Sequence, residues 1–363
     1  MSAIDPVYKR CLRASFRLLQ GIIAIAGSVG SRSVLRVWYA GARAGDIGGP
    51  LVKVQRLKEF FPDCRTSFSH AYLLSNCPYL PGWALRWLKW RGIPIILNQN
   101  GVYYRAWFDG DCASKNREMA KAWHLADYVF YQSNFCKVTA EKFLGVRAGP
   151  GEVLFNAVDI EHFKPDPKRN NVRPVFLHTG KLVTHMFYRV EALLRGFALA
   201  RGRGLDAELR IAGWMDLNVQ RKATVLLSEL ALEDRVSFTG PYDQGRAPSV
   251  YSAADAYVTL TFNDACPSAV IEALSCGLPV LYSDSGGVPE LVSKKSGVGL
   301  SVENGYDKVD VPDVEAIAEG LKEILSGLSG RQSAAREHAM KAFDIRNWIG
   351  RHRTVFKLIS KGK

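Results

Sequence analysis

The 363-residue sequence contains no apolar run of the roughly 18 residues that a membrane-spanning helix requires. Its seven cysteines include no Cys-x-x-Cys pair and are odd in number, so neither zinc ligation nor a complete set of disulfides is predicted. Low-complexity tracts, short repeats and the helix-turn-helix, zinc and RNA-recognition motifs are also missing. These absences favour the cytoplasm as the compartment and argue against a transmembrane or nucleic-acid-binding protein.

The charge is strongly unbalanced. The sequence has 48 Lys and Arg against 35 Asp and Glu, a formal net charge of +13. Such an excess requires an anionic partner, whether a phosphorylated ligand, lipid headgroups or nucleic acid, and charge alone does not choose among them. With 47% apolar and 23% charged residues the chain has the composition of a folded globular protein, and its length predicts two domains.

Residues 1–32 favour a basic amphipathic helix that attaches to the inner face of an anionic membrane. In a helical projection the basic residues and Gln20 share one side, and bulky apolar residues share another. The basic residues are Lys9, Arg10, Arg13 and Arg17, and the apolar residues are Leu12, Phe16, Leu19, Ile22 and Ile23. Two alternatives stay open: the helix packs on its own domain, or the segment is a cleaved signal peptide.

A second stretch has a similar character. Trp83, Trp87 and Trp90 share one side of a predicted helix and are flanked by Arg86 and Arg91. Tryptophan among arginines is typical of a membrane interface. The alternative is a partly buried helix face whose basic side chains extend into water.

Strands and helices alternate along most of the chain, which predicts parallel sheets covered by helices. Apolar strand patterns occur at 34–39, 93–97 and 128–132, and after a break near 156–165 the alternation restarts at 174–178 and continues to 283. We therefore predict an α/β protein of two Rossmann-like domains. Their expected bounds are 33–165 and 166–340, followed by a C-terminal helix at 341–363 that can cross back to the first domain.

The most informative stretch reads NDACPSAVIEALSCGLPV from Asn263 and SDSGGVPE from Ser283. It places seven residues between the carboxylates of Asp264 and Glu272. A carboxylate accepts paired hydrogen bonds from a vicinal diol, such as a ribose or a pyranose presents. The residues between the two acids, Pro267, Ser268 and Ala269, open a helix whose free N–H groups can bind phosphate or sugar oxygens. The alternative is structural: Asp264 caps the helix and Glu272 is a solvated helix residue.

This stretch resembles the donor-site signature of the retaining glycosyltransferases of family 4. The resemblance implies the GT-B fold, two Rossmann-like domains with parallel sheets facing across a cleft. It also implies that Asp264 contacts hydroxyls of the donor sugar and that Glu272 binds the nucleotide ribose. Asp264 departs from the family, which usually has Glu there, and this shortens the reach by one methylene.

Other matches follow in chain order. The segment His178-Thr-Gly180-Lys181-Leu182 resembles the Gly-Arg-Leu turn of the family, whose two basic residues neutralise the donor pyrophosphate. The resemblance assigns these roles to Lys181 and Arg189, with His185 as the substitute for Arg189. The alternative is a lysine and an arginine on the surface of a helix. Gly240 lies in a segment that resembles the family's loop against the nucleotide base.

The N-terminal half is less similar, as expected of a domain that binds a variable acceptor. Gly48 and Gly49 follow the first strand, as do the glycines that let a family loop approach the donor phosphate. His70 is expected to be structural. The acceptor-side candidates are Lys53, Asn98, Asn100 and Tyr103.

The resemblance further implies transfer of a hexosyl-type sugar from a nucleotide diphosphate to a glycan or lipid-linked acceptor, with retention of configuration. By analogy the setting is bacterial polysaccharide or envelope glycan synthesis. No cofactor and no metal are implied, and Asp109-Gly-Asp111 is expected to form a turn despite its metal-binding form. The alternatives are a catalytically silent relative that binds nucleotide sugar or a partner protein, which the replacements at Asp264 and Lys181 would permit, and an epimerase acting on nucleotide sugars.

Overall fold

The computed structural model describes residues 7–30, 33–45 and 49–361. The chain divides into two compact units, each built on its own parallel sheet. Unit 1 comprises residues 1–155, 306–308 and 347–363, and unit 2 comprises residues 156–305 and 309–346. The division therefore falls between Phe155 and Asn156, before the boundary expected at residue 165, and the end of the chain belongs to unit 1.

Unit 1 contains a sheet of five parallel strands in the order β1-β2-β3-β4-β5. The strands are β1 Val37–Trp38, β2 His70–Leu74, β3 Ile95–Gln99, β4 Tyr128–Tyr131 and β5 Gly151–Val153. The helices are α1 Val7–Gly27, α2 Gly49–Phe60, α3 Gly82–Trp90, α4 Cys112–Leu125, α5 Asn134–Leu144 and, from residue 347 on, α13 Ile345–Lys361. The first strand is shorter than the predicted 34–39, and β2 and β5 were not predicted.

Local chemistry explains several of these bounds. Asp111 caps α4 by accepting a hydrogen bond from the N–H of Ser114 at 2.9 Å, and Ser133 caps α5 by accepting one from Cys136. Strands β2, β3 and β4 are buried at every position, as expected of parallel strands that are covered on both faces.

Helix α1 packs against α3 within unit 1. Gly21 lies so close to Trp83 that a Cβ atom there would be 2.2 Å from the indole ring. The Trp87 indole N–H donates to Ser28 Oγ at 3.0 Å, just beyond the end of α1. No helix among the described residues is long and apolar enough to cross a bilayer.

Part of the basic side of α1 faces the rest of unit 1. Arg17 forms an ion pair with Glu118 at 2.8 Å, and Gln20 is buried at 4% exposure. At Arg17 and Gln20 the basic side of the helix therefore contacts the protein, in agreement with the alternative that the helix packs on its own domain. A helical projection describes α1 as an isolated helix, so it does not include the acidic partner of Arg17 in α4.

Unit 2 contains a sheet of six parallel strands in the order β11-β10-β9-β6-β7-β8. The strands are β6 Val175–Thr179, β7 Glu208–Ala212, β8 Val236–Gly240, β9 Ala256–Thr259, β10 Val280–Ser283 and β11 Gly297–Leu300. The helices are α6 Phe187–Gly202, α7 Leu217–Glu229, α8 Ala247–Ser252, α9 Ser268–Ser275, α10 Val288–Leu291, α11 Val314–Leu325 and α12 Leu328–Ala342. A short 3-10 turn, Thr184–Met186, precedes α6.

The strand order of unit 2 is that of a doubly wound Rossmann sheet. The first strand, β6, and the fourth, β9, are neighbours, and the order runs outward from them in opposite directions. The loops that follow β6 and β9 therefore diverge and leave a crevice at the carboxyl edge of the sheet, where such folds bind ligands. A buried cluster that includes Phe176, Phe197 and Leu209 forms the core beneath this edge.

Candidate functional site

Three neighbouring loops of unit 2 come close to one another at glycine residues. Gly180 follows β6 with a φ of +151° and Gly213 follows β7 with a φ of +131°. A Cβ atom on Gly213 would lie 2.0 Å from the carbonyl oxygen of Gly180, so no side chain fits at that point. The Gly213 N–H in turn donates to the Gly240 carbonyl oxygen at 2.8 Å. The predicted residues Gly180 and Gly240 therefore belong to one row of loops, and Gly213, which was not predicted, joins them.

Arg189 lies beneath this row. It is on the first turn of α6 and is 6% exposed. Its Nη1 donates to Thr261 Oγ1 at 3.0 Å and its Nη2 to the Lys181 carbonyl oxygen at 2.7 Å. A Cβ atom on Gly180 would lie 3.3 Å from Nη2. The guanidinium therefore joins the loop after β6 to the segment after β9, at the reversal of strand order.

The charge of Arg189 is held in a largely dry environment. Burial lowers the pKa of Arg189, and the negative charge of Asp264 opposes that shift. Its Nε, like Nε2 of His178 on β6, has no hydrogen-bond partner among the described residues. Burial and the nearby guanidinium lower the pKa of His178 to about 3. His178 is therefore neutral at working pH and leaves the positive charge to Arg189.

Lys181 and His185, the other two candidate cations, are placed differently. Lys181 is exposed, and its Nζ lies 5.1 Å from the centre of the Trp214 ring. His185 is exposed in the 3-10 turn. Of the three candidates, the structure buries only Arg189, so the alternative of an arginine on the helix surface is wrong for Arg189.

Asp264 is fixed where the loops after β9 and β10 meet. Its Oδ1 accepts a hydrogen bond from the Cys266 N–H at 3.2 Å, and its carbonyl oxygen accepts one from the Gly287 N–H at 2.8 Å. Gly286 has a φ of +65°, and a Cβ atom there would lie 2.5 Å from that carbonyl oxygen. Burial raises the pKa of Asp264, while the Cys266 N–H and the charge of Arg189 oppose the rise.

Helix α9 follows Asp264 without a side-chain cap. Its N-cap residue is Pro267, so Asp264 does not cap the helix, contrary to the structural alternative. Pro267, Ser268 and Ala269 are half-buried and form the helix entrance. The N-cap side chain therefore accepts no hydrogen bond from the first backbone N–H groups of the helix.

Glu272 is one turn inside α9 and is 4% exposed, so it is not a solvated helix residue. Burial raises the pKa of Tyr242, Tyr251 and Tyr257, and the negative charge of Glu272 adds to the rise in all three. None of the three tyrosines was singled out from the sequence. They lie on separate elements with no common spacing, so only the fold brings them together.

In unit 1, three of the four acceptor-side candidates meet. Lys53 is 6% exposed, and its Nζ donates to Asn98 Oδ1 at 2.8 Å and to Asn100 Oδ1 at 3.4 Å. Gln132 donates to the same two oxygens. Gly49 is exposed and begins α2, whereas Gly48 lies outside the described residues.

Tyr103, the fourth candidate, lies elsewhere. It lines a cavity of about 610 Å³ in unit 1 whose walls include none of the other three. Arg105, Arg117 and Lys142 bring positive charge to this cavity, against the single carboxylate of Asp307. Tyr103 therefore lies apart from Lys53, Asn98 and Asn100.

The remaining candidates have structural contacts. His70 is buried, with Nδ1 2.8 Å from Ser69 Oγ and Nε2 3.1 Å from the Phe356 carbonyl oxygen in α13. Asp111 of the Asp109-Gly-Asp111 segment is the N-cap of α4. Within residues 7–30, 33–45 and 49–361, no group of three His, Cys, Asp or Glu side chains is placed to hold a metal ion.

The chain has the GT-B architecture, in which two units are each built on a parallel sheet. Solved structures share this fold. Sucrose-phosphate synthase from Thermosynechococcus elongatus aligns over 86% of this chain and 78% of its own, with a TM-score of 0.65 and 17% identity. HepE from Anabaena, solved in complex with UDP, aligns over 85% of this chain and 82% of its own, with a TM-score of 0.63 and 18% identity.

The profile of the family described as glycosyl transferases group 1 matches residues 159–341, half of the chain. The chain belongs to this family. Over 194 residues it is 29% identical to the D-inositol 3-phosphate glycosyltransferase of Mycolicibacterium smegmatis, which covers 52% of this chain and 43% of that relative. Over 191 residues it is 29% identical to the mannosylfructose-phosphate synthase of Agrobacterium fabrum, covering 51% of this chain and 40% of that relative. The chain thus matches less than half of the length of either relative.

Proposed function

We propose that unit 2 binds a nucleotide-diphosphate sugar and that the protein transfers its hexosyl group to a glycan or lipid-linked acceptor. The observation that carries the proposal is the buried Arg189, which joins the loops after β6 and β9 where a Rossmann sheet binds its ligand. Family membership supports transfer, and HepE, which shares the fold, is solved in three complexes: with UDP, with UDP and glucose, and with UDP-glucose. UDP-sugars are therefore the first donors to test.

Each part of the site has a role in this proposal. Glu272 accepts hydrogen bonds from the ribose hydroxyls, and Asp264 accepts them from the sugar. The uncapped start of α9 offers backbone N–H groups to phosphate oxygens. Arg189, assisted by Lys181, stabilises the charge that grows on the departing pyrophosphate. A fixed donor of this kind contributes about 3–4 kcal/mol in comparable sites.

We further propose retention of configuration without a metal. Arg189 is a permanent cation at the place where the diphosphate leaves, which is the charge that a divalent ion supplies in other transferases. Front-side attack would let the departing phosphate accept the acceptor proton. The test is the first anomer released from an α-linked UDP-sugar, followed by NMR in a buffer with EDTA. Release of the α anomer supports retention, and release of the β anomer contradicts it. Full activity in EDTA supports a metal-independent reaction, and loss of activity contradicts it.

The acceptor is proposed to be anionic, because the cavity that contains Tyr103 carries three cationic side chains. Lys142 Nζ lies 4.2 Å from the centre of the Tyr306 ring, so aromatic and cationic groups line the same space. A phosphorylated or pyrophosphate-linked saccharide combines both features, as would an intermediate of polysaccharide or envelope glycan synthesis. A double substitution Arg105→Gln and Arg117→Gln should raise the KM for such an acceptor and leave the KM for the donor unchanged.

The outer face of α1 supports attachment to a membrane surface on the cytoplasmic side. We define the apolar face of α1 as the exposed side chains of Leu12, Leu18, Leu19, Ile22 and Ile25. Five large apolar residues on one docked helix form a surface that water does not favour. Trp90 of the neighbouring α3 is 72% exposed, and Lys9 and Arg10 at the start of α1 are exposed. Insertion of the apolar face, aided by these cations, fits an anionic lipid surface.

Co-sedimentation with vesicles of anionic lipid tests this attachment. Leu19→Asp and Ile22→Asp should abolish binding, whereas Val225→Asp, at an equally exposed residue of unit 2, should not. Binding should also weaken as salt rises, because the cationic contribution is screened. Equal sedimentation of all variants would contradict the proposal.

The transfer proposal itself is tested by release of nucleoside diphosphate from a panel of UDP-, GDP- and ADP-sugars with candidate acceptors. Glu272→Gln and Asp264→Asn should each lower turnover at least tenfold. Asp284→Asn is the matched control, because Asp284 is an exposed acid that follows β10 on the same edge of the sheet. Donor binding without turnover, in the wild type and with every acceptor, would instead favour a catalytically silent relative.

A further inference from the structure

Trp214 is an exposed aromatic residue that the proposed mechanism does not yet use. It follows Gly213 directly, at the carboxyl end of β7 and within the row of loops that also contains Gly180. Trp214 is 46% exposed, and the Nζ atom of Lys181, in the loop after β6, lies 5.1 Å from the centre of its ring. A cation and the face of an indole attract each other at this distance. The ring therefore has a charged partner at the edge of the sheet where the donor is proposed to bind.

Hydrogen bonds fix the backbone of the two loops that carry this pair. The Leu182 N–H donates to the Trp214 carbonyl oxygen at 2.8 Å, and the Asp216 N–H donates to the Leu182 carbonyl oxygen at 3.1 Å. The Asp216 carboxylate also accepts hydrogen bonds from the N–H and the hydroxyl of Thr184, at 2.8 and 3.0 Å. The backbone of Trp214 is thus held beside the residue that follows Lys181, and contact between the two side chains depends on their own torsions.

A lysine side chain gains from a contact of this kind. Its four-carbon stem loses much conformational entropy when the ammonium is held in one place. A ring face that already holds the ammonium reduces the part of this loss that falls on ligand binding. The ammonium has three N–H donors, and those that point away from the ring stay available to phosphate oxygens. Trp214 can therefore direct the Lys181 ammonium and leave it able to bind an anion.

The cations Arg189 and Lys181 differ in depth. Arg189 is buried beneath the row of loops, and its Nη2 donates to the Lys181 carbonyl oxygen at 2.7 Å. Lys181 is exposed. A ligand with one phosphate group can be bound by the buried guanidinium alone, whereas a diphosphate offers a second anionic group to the exposed ammonium.

We infer that Trp214 positions the Lys181 ammonium for the second phosphate group of the donor, and that the pair thereby favours a nucleoside diphosphate over the monophosphate. Trp214 is a positioning residue in this account, because it acts through Lys181. The inference rests on the proposed binding of a nucleotide donor by unit 2.

A double-mutant cycle on the full chain tests the inference by calorimetric titration of UDP and UMP. The four proteins are the wild type, Trp214→Leu, Lys181→Met and the double variant. A cation–π contact at an exposed site changes an equilibrium constant by about two- to fivefold. We expect Trp214→Leu to weaken UDP binding by this factor, to leave UMP binding unchanged, and to have no further effect in the Lys181→Met background. Trp214→Tyr keeps an aromatic face and should bind UDP more tightly than Trp214→Leu.

Leu217→Ala is the matched control, because Leu217 is 71% exposed at the start of α7, three residues after Trp214. It should bind both nucleotides as the wild type does. If Trp214→Leu weakens UDP and UMP binding equally, or weakens UDP binding equally in the Lys181→Met background, the ring contacts the nucleoside itself and the inference is wrong. Unchanged UDP binding in Trp214→Leu would also overturn it. GDP with GMP, or ADP with AMP, replaces UDP with UMP if the wild type prefers that base. A wild type that binds no nucleoside diphosphate would instead refute the proposed function.

Discussion

Replacing Arg189 by Met tests how the site stabilises the leaving group. The substitution keeps an unbranched apolar stem but removes the guanidinium that donates to Thr261 at 3.0 Å and to the Lys181 carbonyl oxygen at 2.7 Å. Loss of one preorganised donor to a developing oxyanion lowers kcat by about 10²–10³, or roughly 3–4 kcal/mol. Because the charge grows mainly in the transition state, donor affinity should fall by less than about tenfold.

We expect Arg189→Met to lower the free energy of unfolding by less than it raises the activation free energy of transfer. Methionine removes the donor to the Lys181 carbonyl oxygen, at about 1–3 kcal/mol, while Thr261 Oγ1 keeps the hydrogen bond from Thr259 Oγ1 at 3.4 Å. It also relieves the burial of a charge that is 6% exposed. The assay is release of UDP from the identified donor, with the melting temperature as a measure of folding. Arg195→Met is the control, because Arg195 is on the same helix and forms an exposed pair with Glu191 at 2.9 Å. A folded Arg189→Met protein whose kcat is within threefold of the wild type would refute the role of Arg189.

Three further predictions concern stability and pH. His178 and His352 are buried with pKa values lowered to about 3, so the unfolded chain binds protons below pH 6.5 that the folded chain does not. The free energy of unfolding should therefore fall as pH decreases from about 7 toward 3, by at most about 5 kcal/mol for each histidine. The melting temperature of His352→Gln should depend less on pH than that of the wild type, and an equal dependence would contradict this prediction. Gly213→Ala should lower the melting temperature clearly more than Gly240→Ala, because only the first places a Cβ atom against backbone, 2.0 Å from a carbonyl oxygen; equal shifts would contradict the tight loop approach. Turnover needs the ionised carboxylate of Asp264, so it should be lost as pH falls through the raised pKa of Asp264, at a higher pH than an ordinary aspartate would give. Asp264→Asn should remove this acidic loss of turnover from the pH profile.

The sequence predicted most of unit 2, because strand and helix patterns alternate along this part of the chain. The predicted strand at 174–178 is β6 to within one residue, and the helix predicted to open at residues 267–269 is α9. Strand β2 of unit 1 was not predicted. Its residues follow a serine-rich, irregular stretch, and their burial depends on pairing with β1 and β3 rather than on a local period.

The candidate site was predictable where one segment carries several of its residues. Asp264 and Glu272 follow from the spacing of a single stretch, and Gly180 follows from a short motif. Trp214 does not, because its ring meets Lys181 only when β6 and β7 have paired. The burial of Glu272 likewise depends on the packing of neighbouring elements on α9, which no helical period within α9 reveals.

Nucleotide binding is the central claim, and a thermal-shift panel of nucleoside diphosphates on the wild type and Glu272→Gln tests it most directly. A ligand that binds only the folded chain stabilises it by about 2.7 kcal/mol at one hundred times its Kd. We predict that one nucleoside diphosphate raises the melting temperature of the wild type and that Glu272→Gln, equally stable without ligand, requires at least tenfold more of it for the same shift. If no nucleotide at millimolar concentration stabilises the wild type, or if one stabilises both proteins equally, unit 2 does not hold its donor at Glu272.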